Sequence, residues 1–350
     1  LMFPAGTVGD LDLRRRRVHD RRWNTLVGRL ALRTGAVSVP FHVDGRNDWW
    51  FYLSALIHRR LRTALLPRAL LGQRGGRVRI TCGRPITGLA GFDATAYTET
   101  LRLSCELLGE PAVPAPVHAA DAAPTAEQDA ADRHLVAGDT PPVHSHGAFA
   151  VYVLPFDRLG PVAGVLAQER ERTFRLAGEG TGQSVDRDRF DPAYDHILVW
   201  DHDARRLVGG YRAAVADAVL AQRDSPGLYS QSLFRYRRDF LTGIGPAIEV
   251  GRSFVTPAYQ TSTAALDLLW HGIGRMMLTH PHCHTLFGCV SIAGTYAPLV
   301  RSLLADTCLA AHALEDRLRG RVRPVARWRA PRRCYSPALI ESLGSVGAVN

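Results

Sequence analysis

Residues 109–147 constrain this 350-residue chain more than any strand or helix that can be read from it. From Pro111 to His146 the sequence is rich in Ala, Pro and Asp and poor in large apolar side chains. Such a stretch buries too little apolar surface to offset the entropy lost on ordering it, so it reads as a linker. The chain then divides into a first domain at residues 1–108, the linker at 109–147 and a second domain at 148–350. The length suits two modest domains, and no internal repeat argues for a solenoid.

In the first domain, Gly35–Val43 and Arg77–Cys82 read as strands, while Leu26–Leu32 and Trp49–Leu65 read as helices, an alternation that predicts α/β. In the second, Ala247–Val255 alternates apolar and polar residues as a half-buried strand does, with Gly251 as the expected site of a bulge. Glu249 and Arg252 lie three apart on that strand, and a bulge between them brings both to one side. Taken alone, the pair reads first as an ordinary ion pair at a strand end. The strand leads into Leu266, Leu268, Leu269, Ile273, Met276 and Met277, spaced as one face of a helix. A strand feeding a helix N-terminus offers free backbone N–H groups to a phosphate, which makes Gln260, Thr261, Ser262 and Thr263 the expected donor-phosphate cradle.

Composition sets outer bounds. Hydrophobic residues at 46% and charged residues at 22% are ordinary for a globular chain. The formal charge of +10 permits a nucleic acid, an anionic membrane or an acidic protein as partner. All 43 basic residues are arginine, however, so arginine carries meaning only where a motif supports it. No nucleic-acid signature accompanies the charge, and none is expected as a partner. The six cysteines, at 82, 105, 283, 289, 308 and 334, form no C-x-x-C pair, which fits a reducing cytoplasm. His280-Pro-His282-Cys283-His284 crowds potential ligands into one turn with no second pair at metal-binding distance, so it reads as a solvated loop and no metal is expected. With no apolar run long enough to span a bilayer, the expected location is the cytoplasm, with peripheral contact on the inner face of the membrane as an addition. Trp49-Trp50-Phe51-Tyr52-Leu53, followed by Arg59, Arg60 and Arg62, fits either such a contact or a core helix capped by charges.

The phrases of the second domain occur in a recognisable order. Val255, Pro257, Tyr259, Gln260 and Ala265 fit the strand-to-helix pattern V-x-P-x-Y-[RQ]-x-x-G-x-[GA], which resembles that of the GNAT superfamily, with Thr263 where the first Gly stands. Arg170 with Phe174, Asp188 with Asp191, then Arg212, then Glu249 with Arg252 follow the order seen in acyl-homoserine-lactone synthases. From about Phe149 to Leu304 the chain is similar to the ornithine- and glycine-lipid N-acyltransferases, a group that also carries the label hemolysin. The shared phrases include Thr173-Phe174-Arg175, Gly178–Gly182, Asp191–Trp200, Val208–Arg212, Glu249–Val255 and Leu286–Ile292. The resemblance implies a GNAT-like mixed sheet flanked by helices, α/β or α+β in class. It also implies transfer of a long-chain acyl group, plain or 3-hydroxylated, from acyl carrier protein to the α-amine of an amino acid such as ornithine or glycine, or of a lyso-aminolipid. Thr263 would crowd a pyrophosphate, so the expected donor is acyl carrier protein rather than coenzyme A, with no bound cofactor.

On this reading Glu249 is the general base. Arg252 orients it or binds the acceptor's carboxylate, Asp188 and Asp191 position the acceptor, and Arg170, Phe174, Arg212 and Ser253 line the pocket. The bulged backbone would hold the oxyanion. Phe3-Pro4-Ala5-Gly6-Thr7, Arg22-Trp23-Asn24, Ala36–Pro40 and Gly83–Ile86 look like the second half of the lysophosphatidic-acid acyltransferase family, implying an acceptor-phosphate site at Phe3, Pro4, Gly6 and Thr7. That family's catalytic His-x4-Asp lies upstream of its F-P-x-G-T phrase. The first domain is therefore expected to be a partial, non-catalytic α/β acyltransferase domain, and the second to be incomplete at its C-terminal end. The pairs His134/Asp139 and His196/Asp201 have the spacing without the context. Two alternatives remain: O-acylation of a lysophospholipid by the first domain, and a non-catalytic module that docks acyl carrier protein.

Overall fold

The apolar run Ile197-Leu198-Val199-Trp200 is fully buried, the pattern of a strand covered on both faces. In the computed structural model it lies within β7, near the middle of a six-stranded mixed sheet. The structure describes all residues except 1, 7–8, 13–16, 21, 46, 48–50, 53, 55–58, 73, 88–91, 111–122, 223–226, 238, 313–317, 319, 327–334 and 341–350. Thr7, Trp49 and Trp50 therefore lie outside the described residues, as does much of the expected linker.

The chain divides into two units. Unit 1 comprises Leu1–Ala112, Ala297–Ala313 and Ala330–Asn350, and unit 2 comprises Val113–Tyr296 and Leu314–Arg329. In unit 1 the short strands β1 (Asp10–Asp12) and β2 (Arg17–His19) form one antiparallel pair, and β3 (Phe41–Asp44) and β4 (Arg79–Cys82) another. The strand expected from Gly35 begins only at Phe41, because Pro40 has no N–H to offer a ladder; Ser38 makes a single bridge to Ile86. Helices span Leu26–Thr34, Arg59–Gly72 and Ala94–Leu108, the last capped by the Asp93 carboxylate, which accepts from the Ala96 N–H. Pro298–Ala311 is also helical, and its Leu299 and Leu303 share a core with Phe92, Leu103, Tyr335, Leu339 and Ile340. Residues 297–313, read from sequence as part of the second domain, thus belong to unit 1.

Unit 2 carries β5 (His144–His146), β6 (Phe149–Pro155), β7 (Asp195–Asp201), β8 (Arg206–Val215), β9 (Phe234–Tyr236), β10 (Ala247–Val255), β11 (Thr285–Gly288) and β12 (Val322–Pro324). The main sheet runs β11-β10-β8-β7-β6-β5, antiparallel except for β10 with β11, while β9 pairs with β12 apart from it. One face packs against the helix Val162–Leu176 and against Ala126–Ala137, through Leu135, Val165, Leu166, Leu198 and Trp200. The helix Thr263–Thr279 covers the other face through Leu268, Leu269, Ile273 and Met276. It sits close to β7 because Gly272 faces Ile197: a Cβ there would lie 2.2 Å from the isoleucine Cγ2.

The helix Ala126–Ala137 falls within the stretch whose composition reads as linker. It begins with a capping box, in which the Thr125 hydroxyl accepts from the Gln128 N–H and the Gln128 amide oxygen accepts from the Thr125 N–H. It buries only Ala131 and Leu135, but Asp132 accepts bonds from Trp200 Nε1 at 2.8 Å and from His202 Nδ1 at 2.7 Å.

Candidate active site

The site forms where β10 parts from its neighbours. Its pairing with β11 ends at Val250 with Gly288, and its register with β8 jumps between Gly251 and Phe254, so Arg252 and Ser253 have no partner in either ladder. This is the bulge expected at Gly251, and the residue in the left-handed region within it is Arg252, at φ 51°. Three ties hold the arginine there: its guanidinium donates to Asp186 Oδ2 at 3.0 Å and to Asp188 Oδ2 at 3.1 Å, and lies over the Tyr229 ring at 5.1 Å.

Glu249 projects from β10 just before the bulge and is buried. Tyr194 and the Tyr229 N–H both donate to its Oε2, the latter at 3.2 Å, and the Ser230 N–H donates to Oε1 at 2.8 Å. A carboxylate offers about four lone-pair sites, so these three bonds leave the open one on Oε1. Burial first, and then the Glu249 charge, push the Tyr194 phenol far above its ordinary range, which keeps it a donor. Tyr236 and Cys289 also feel this carboxylate. Burial first raises their pKa values to about 12 and about 11, and the Glu249 charge adds to it.

Beside Glu249 lies a buried network of three arginines and three aspartates. Arg170, from the helix Val162–Leu176, forks onto Asp191 with Nη1 at 3.2 Å and Nη2 at 2.8 Å, and its Nε lies 3.4 Å from Asp186 Oδ2. Arg212, on β8, donates through Nη1 to Asp188 Oδ1 at 2.6 Å and to Asp191 Oδ1 at 2.7 Å. Burial alone would raise Asp191, but the Arg170 fork and the Arg212 charge more than offset it and hold its carboxyl at about 2. Asp188 is lowered too: Arg212 and Arg252 outweigh burial. At Asp186 burial prevails and the pKa is raised. The Arg212 guanidinium also lies 4.9 Å from the Tyr194 ring centre and 5.0 Å from that of Tyr229, which links the network to the Glu249 cage.

The structure thus brings together Glu249, Arg252, Arg170, Arg212, Asp188 and Asp191. Phe174 joins them through its edge contact with Phe254 at 6.1 Å and under the Arg252 guanidinium at 5.7 Å. Ser253 is exposed within the bulge. Both Asp188 and Asp191 are occupied by arginines, and Arg252 contacts aspartates, meeting Glu249 only through Tyr229. Asp186, Tyr194, Tyr229 and Ser230 were not singled out from sequence. The spacing Asp186-x-Asp188-x-x-Asp191 is the one signal that could have drawn in Asp186, while Tyr229 and Ser230 act through backbone N–H groups, which every residue but proline has.

The Gly178–Gly182 phrase is a loop tied to the end of the helix Val162–Leu176. Glu171 Oε2 accepts from the Thr181 hydroxyl at 2.7 Å and from the Thr181 N–H at 2.9 Å, and Oε1 accepts from the Gly182 N–H at 3.1 Å. The Thr181 hydroxyl is the largest influence; with Arg175 and the backbone bonds it overcomes burial to hold Glu171 at about 2. Gln260, Thr261, Ser262 and Thr263 are largely exposed where the helix Thr263–Thr279 begins, and Ser262 forms no side-chain cap, so the first-turn N–H groups are left open.

The His-x4-Asp pairs form no dyad. His196 Nε2 lies 3.2 Å from the Asp191 carbonyl oxygen, and burial holds its pKa down at about 4. Asp201 instead accepts from Tyr259, and His134 bonds to the Arg158 carbonyl. The loop His280–His284 was expected to be solvated, yet Cys283 is buried in the core under the helix Thr263–Thr279. Among the described residues, no group of three metal-ligating side chains exists and no helix is long and apolar enough to cross a membrane. In unit 1, Gly6 has φ 61° and its N–H donates to the Phe3 carbonyl, forming a tight turn at Phe3-Pro4-Ala5-Gly6.

Residues 170–271 match the family model described as Acetyltransferase (GNAT) domain. The glycine N(alpha)-acyltransferase of Phocaeicola vulgatus is 33% identical over 157 residues, covering 42% of this chain and 48% of the relative. The protein of the same name from Bacteroides thetaiotaomicron is 33% identical over 157 residues, covering 42% and 47%. The L-ornithine N(alpha)-acyltransferase of Agrobacterium fabrum is 32% identical over 149 residues, covering 40% and 49%. The matched part spans about half the length of these curated relatives. The part of unit 2 that holds the site thus matches the GNAT acetyltransferase model and is similar to glycine and ornithine N(alpha)-acyltransferases.

Proposed function

We propose that unit 2 transfers a fatty acyl group from a thioester to the α-amine of an amino acid, forming an amide. The observation that carries this reading is the buried Glu249 carboxylate, caged by three donors and left with one open lone pair, beside the unpaired bulge of β10. Three guanidiniums face four carboxylates here, counting Glu249, so the cluster carries one net negative charge that favours an arriving ammonium group.

An α-amine is largely protonated at neutral pH and must lose a proton before it attacks. Glu249 Oε1 accepts that proton directly or through a water. The neutral amine adds to the thioester carbonyl carbon, and bulge N–H groups stabilise the oxyanion. Collapse breaks the C–S bond. The amine nitrogen loses a further proton as the amide forms, and the departing sulfur takes one up, so each amide is matched by one free thiol.

Acyl carrier protein is the proposed donor. Its phosphopantetheine has a single phosphate for the open first-turn N–H groups of the helix Thr263–Thr279, next to the exposed side chains of Gln260, Thr261, Ser262 and Thr263, whereas the Thr263 side chain, in place of the pattern's Gly, would crowd the pyrophosphate of coenzyme A. Glycine and ornithine are the candidate acceptors by analogy with the relatives' names, and a lyso-aminolipid is a further candidate. Thiol release from an acyl carrier protein thioester is the test. Release that depends on added amino acid and disappears in Glu249→Gln is expected; release that ignores the amine, or that survives in Glu249→Gln, contradicts the proposal.

A further inference from the structure

We infer that Arg252 is a positioning residue that holds the bulge of β10 in the shape that receives the acyl donor, and that it does not bind the acceptor's carboxylate; the inference rests on the acyl-transfer reading above. An L-residue pays a steric cost in the left-handed region, and it stays there only where its surroundings determine its conformation. Glycine would fill this position without strain, and Gly251 stands next to it, yet the positive φ falls on the arginine. The cause is the side chain. Its two Nη atoms are each spent on an aspartate, and the guanidinium is set against the Phe174 and Tyr229 rings.

Asp186 is itself held by Arg170, and Asp188 by Arg212. The clamp therefore runs from the helix Val162–Leu176 and from β8 into the backbone of β10. The stretch it shapes, Arg252–Ser253, has no partner in either flanking ladder. Those backbone groups stay available to a donor only while the strand stays bulged. Both Nη atoms are committed to these carboxylates, and the donor left without a partner, Nε, is buried behind them.

Arg252→Gly and Arg252→Ala separate the two roles, because both remove the guanidinium and only glycine tolerates the left-handed backbone. With a clamp, Arg252→Ala is expected to lose about tenfold more kcat/KM for the donor thioester than Arg252→Gly, with the KM for the amine the same in both. Equal losses in the two variants, with the amine KM raised in each, would overturn the inference and make Arg252 an acceptor ligand. Thermal unfolding needs no substrate, so it tests the clamp even if the wild type forms no amide, a result that would sink the acyl-transfer reading alone. A wild-type Tm above that of Arg252→Gly, despite the strain that glycine would relieve, supports the clamp, and a wild-type Tm equal to or below it overturns it.

Discussion

At the scale of the residue, the site depends on hydrogen bonds that converge from distant parts of the chain. Glu249→Gln keeps the shape of the side chain but removes the proton acceptor, so kcat is expected to fall by about 10²–10⁴ with little change in Tm, measured by steady-state kinetics and calorimetry. Tyr194→Phe removes a donor to a charged group; unfolding in urea should show a loss of about 1.5–3 kcal/mol. Asp191→Asn leaves Arg170 and Arg212 short of a buried counter-charge, and the same measurement should show a loss of about 3–5 kcal/mol. Glu249, Arg252 and the flanking Arg and Asp residues, which the structure brings together, were legible in the sequence because their order along the chain repeats a known pattern. Tyr194 was not: its bond to Glu249 spans 55 residues, a distance that no local pattern encodes.

At the scale of the element, β10 and the helix Thr263–Thr279 are the parts that sequence predicts best. Alternation and helical spacing are set by burial on one face, and both elements appear in place. The positive φ within the bulge falls on Arg252, a position that local preference does not mark and long-range ion pairs hold. The helix within the expected linker was missed because Ala131 and Leu135 suffice to bury it, and a carboxylate, Asp132, supplies the rest of its attachment. Two tests belong here. At Gly288 a Cβ would lie 1.9 Å from the Val250 carbonyl oxygen, so Gly288→Ala should force β10 and β11 apart and cost about 1–3 kcal/mol in denaturant unfolding. Thr263→Gly removes the side chain at the start of the helix and should lower the KM for an acyl-coenzyme A donor, leaving the carrier-protein KM little changed.

At the scale of the whole molecule, the order of acidic, basic and glycine phrases pointed to the mixed sheet flanked by helices that unit 2 adopts, but the path of the chain after Tyr296 did not emerge. The amphipathic helix Pro298–Ala311 carries no mark of which core it joins; only its packing on Phe92 and Leu103 reveals that. Stability should depend on pH in two steps. His196 has a folded pKa near 4, below its unfolded value, so its contribution is complete above about pH 6.5 and fades at up to about 1.4 kcal/mol per pH unit as pH falls toward 4. Asp191, held at about 2, adds a second loss as pH falls below about 4. Urea midpoints taken between pH 7 and pH 3 should fall accordingly, and His196→Gln should flatten the upper step.

The most direct test of the central claim is mass spectrometry of the product formed when the protein is given a long-chain acyl carrier protein thioester together with glycine or ornithine. The expected product has the mass of the amino acid plus the free fatty acid less water, with the acyl group on the α-nitrogen. A free fatty acid, or an ester on a lysolipid, as the sole acyl product would contradict it.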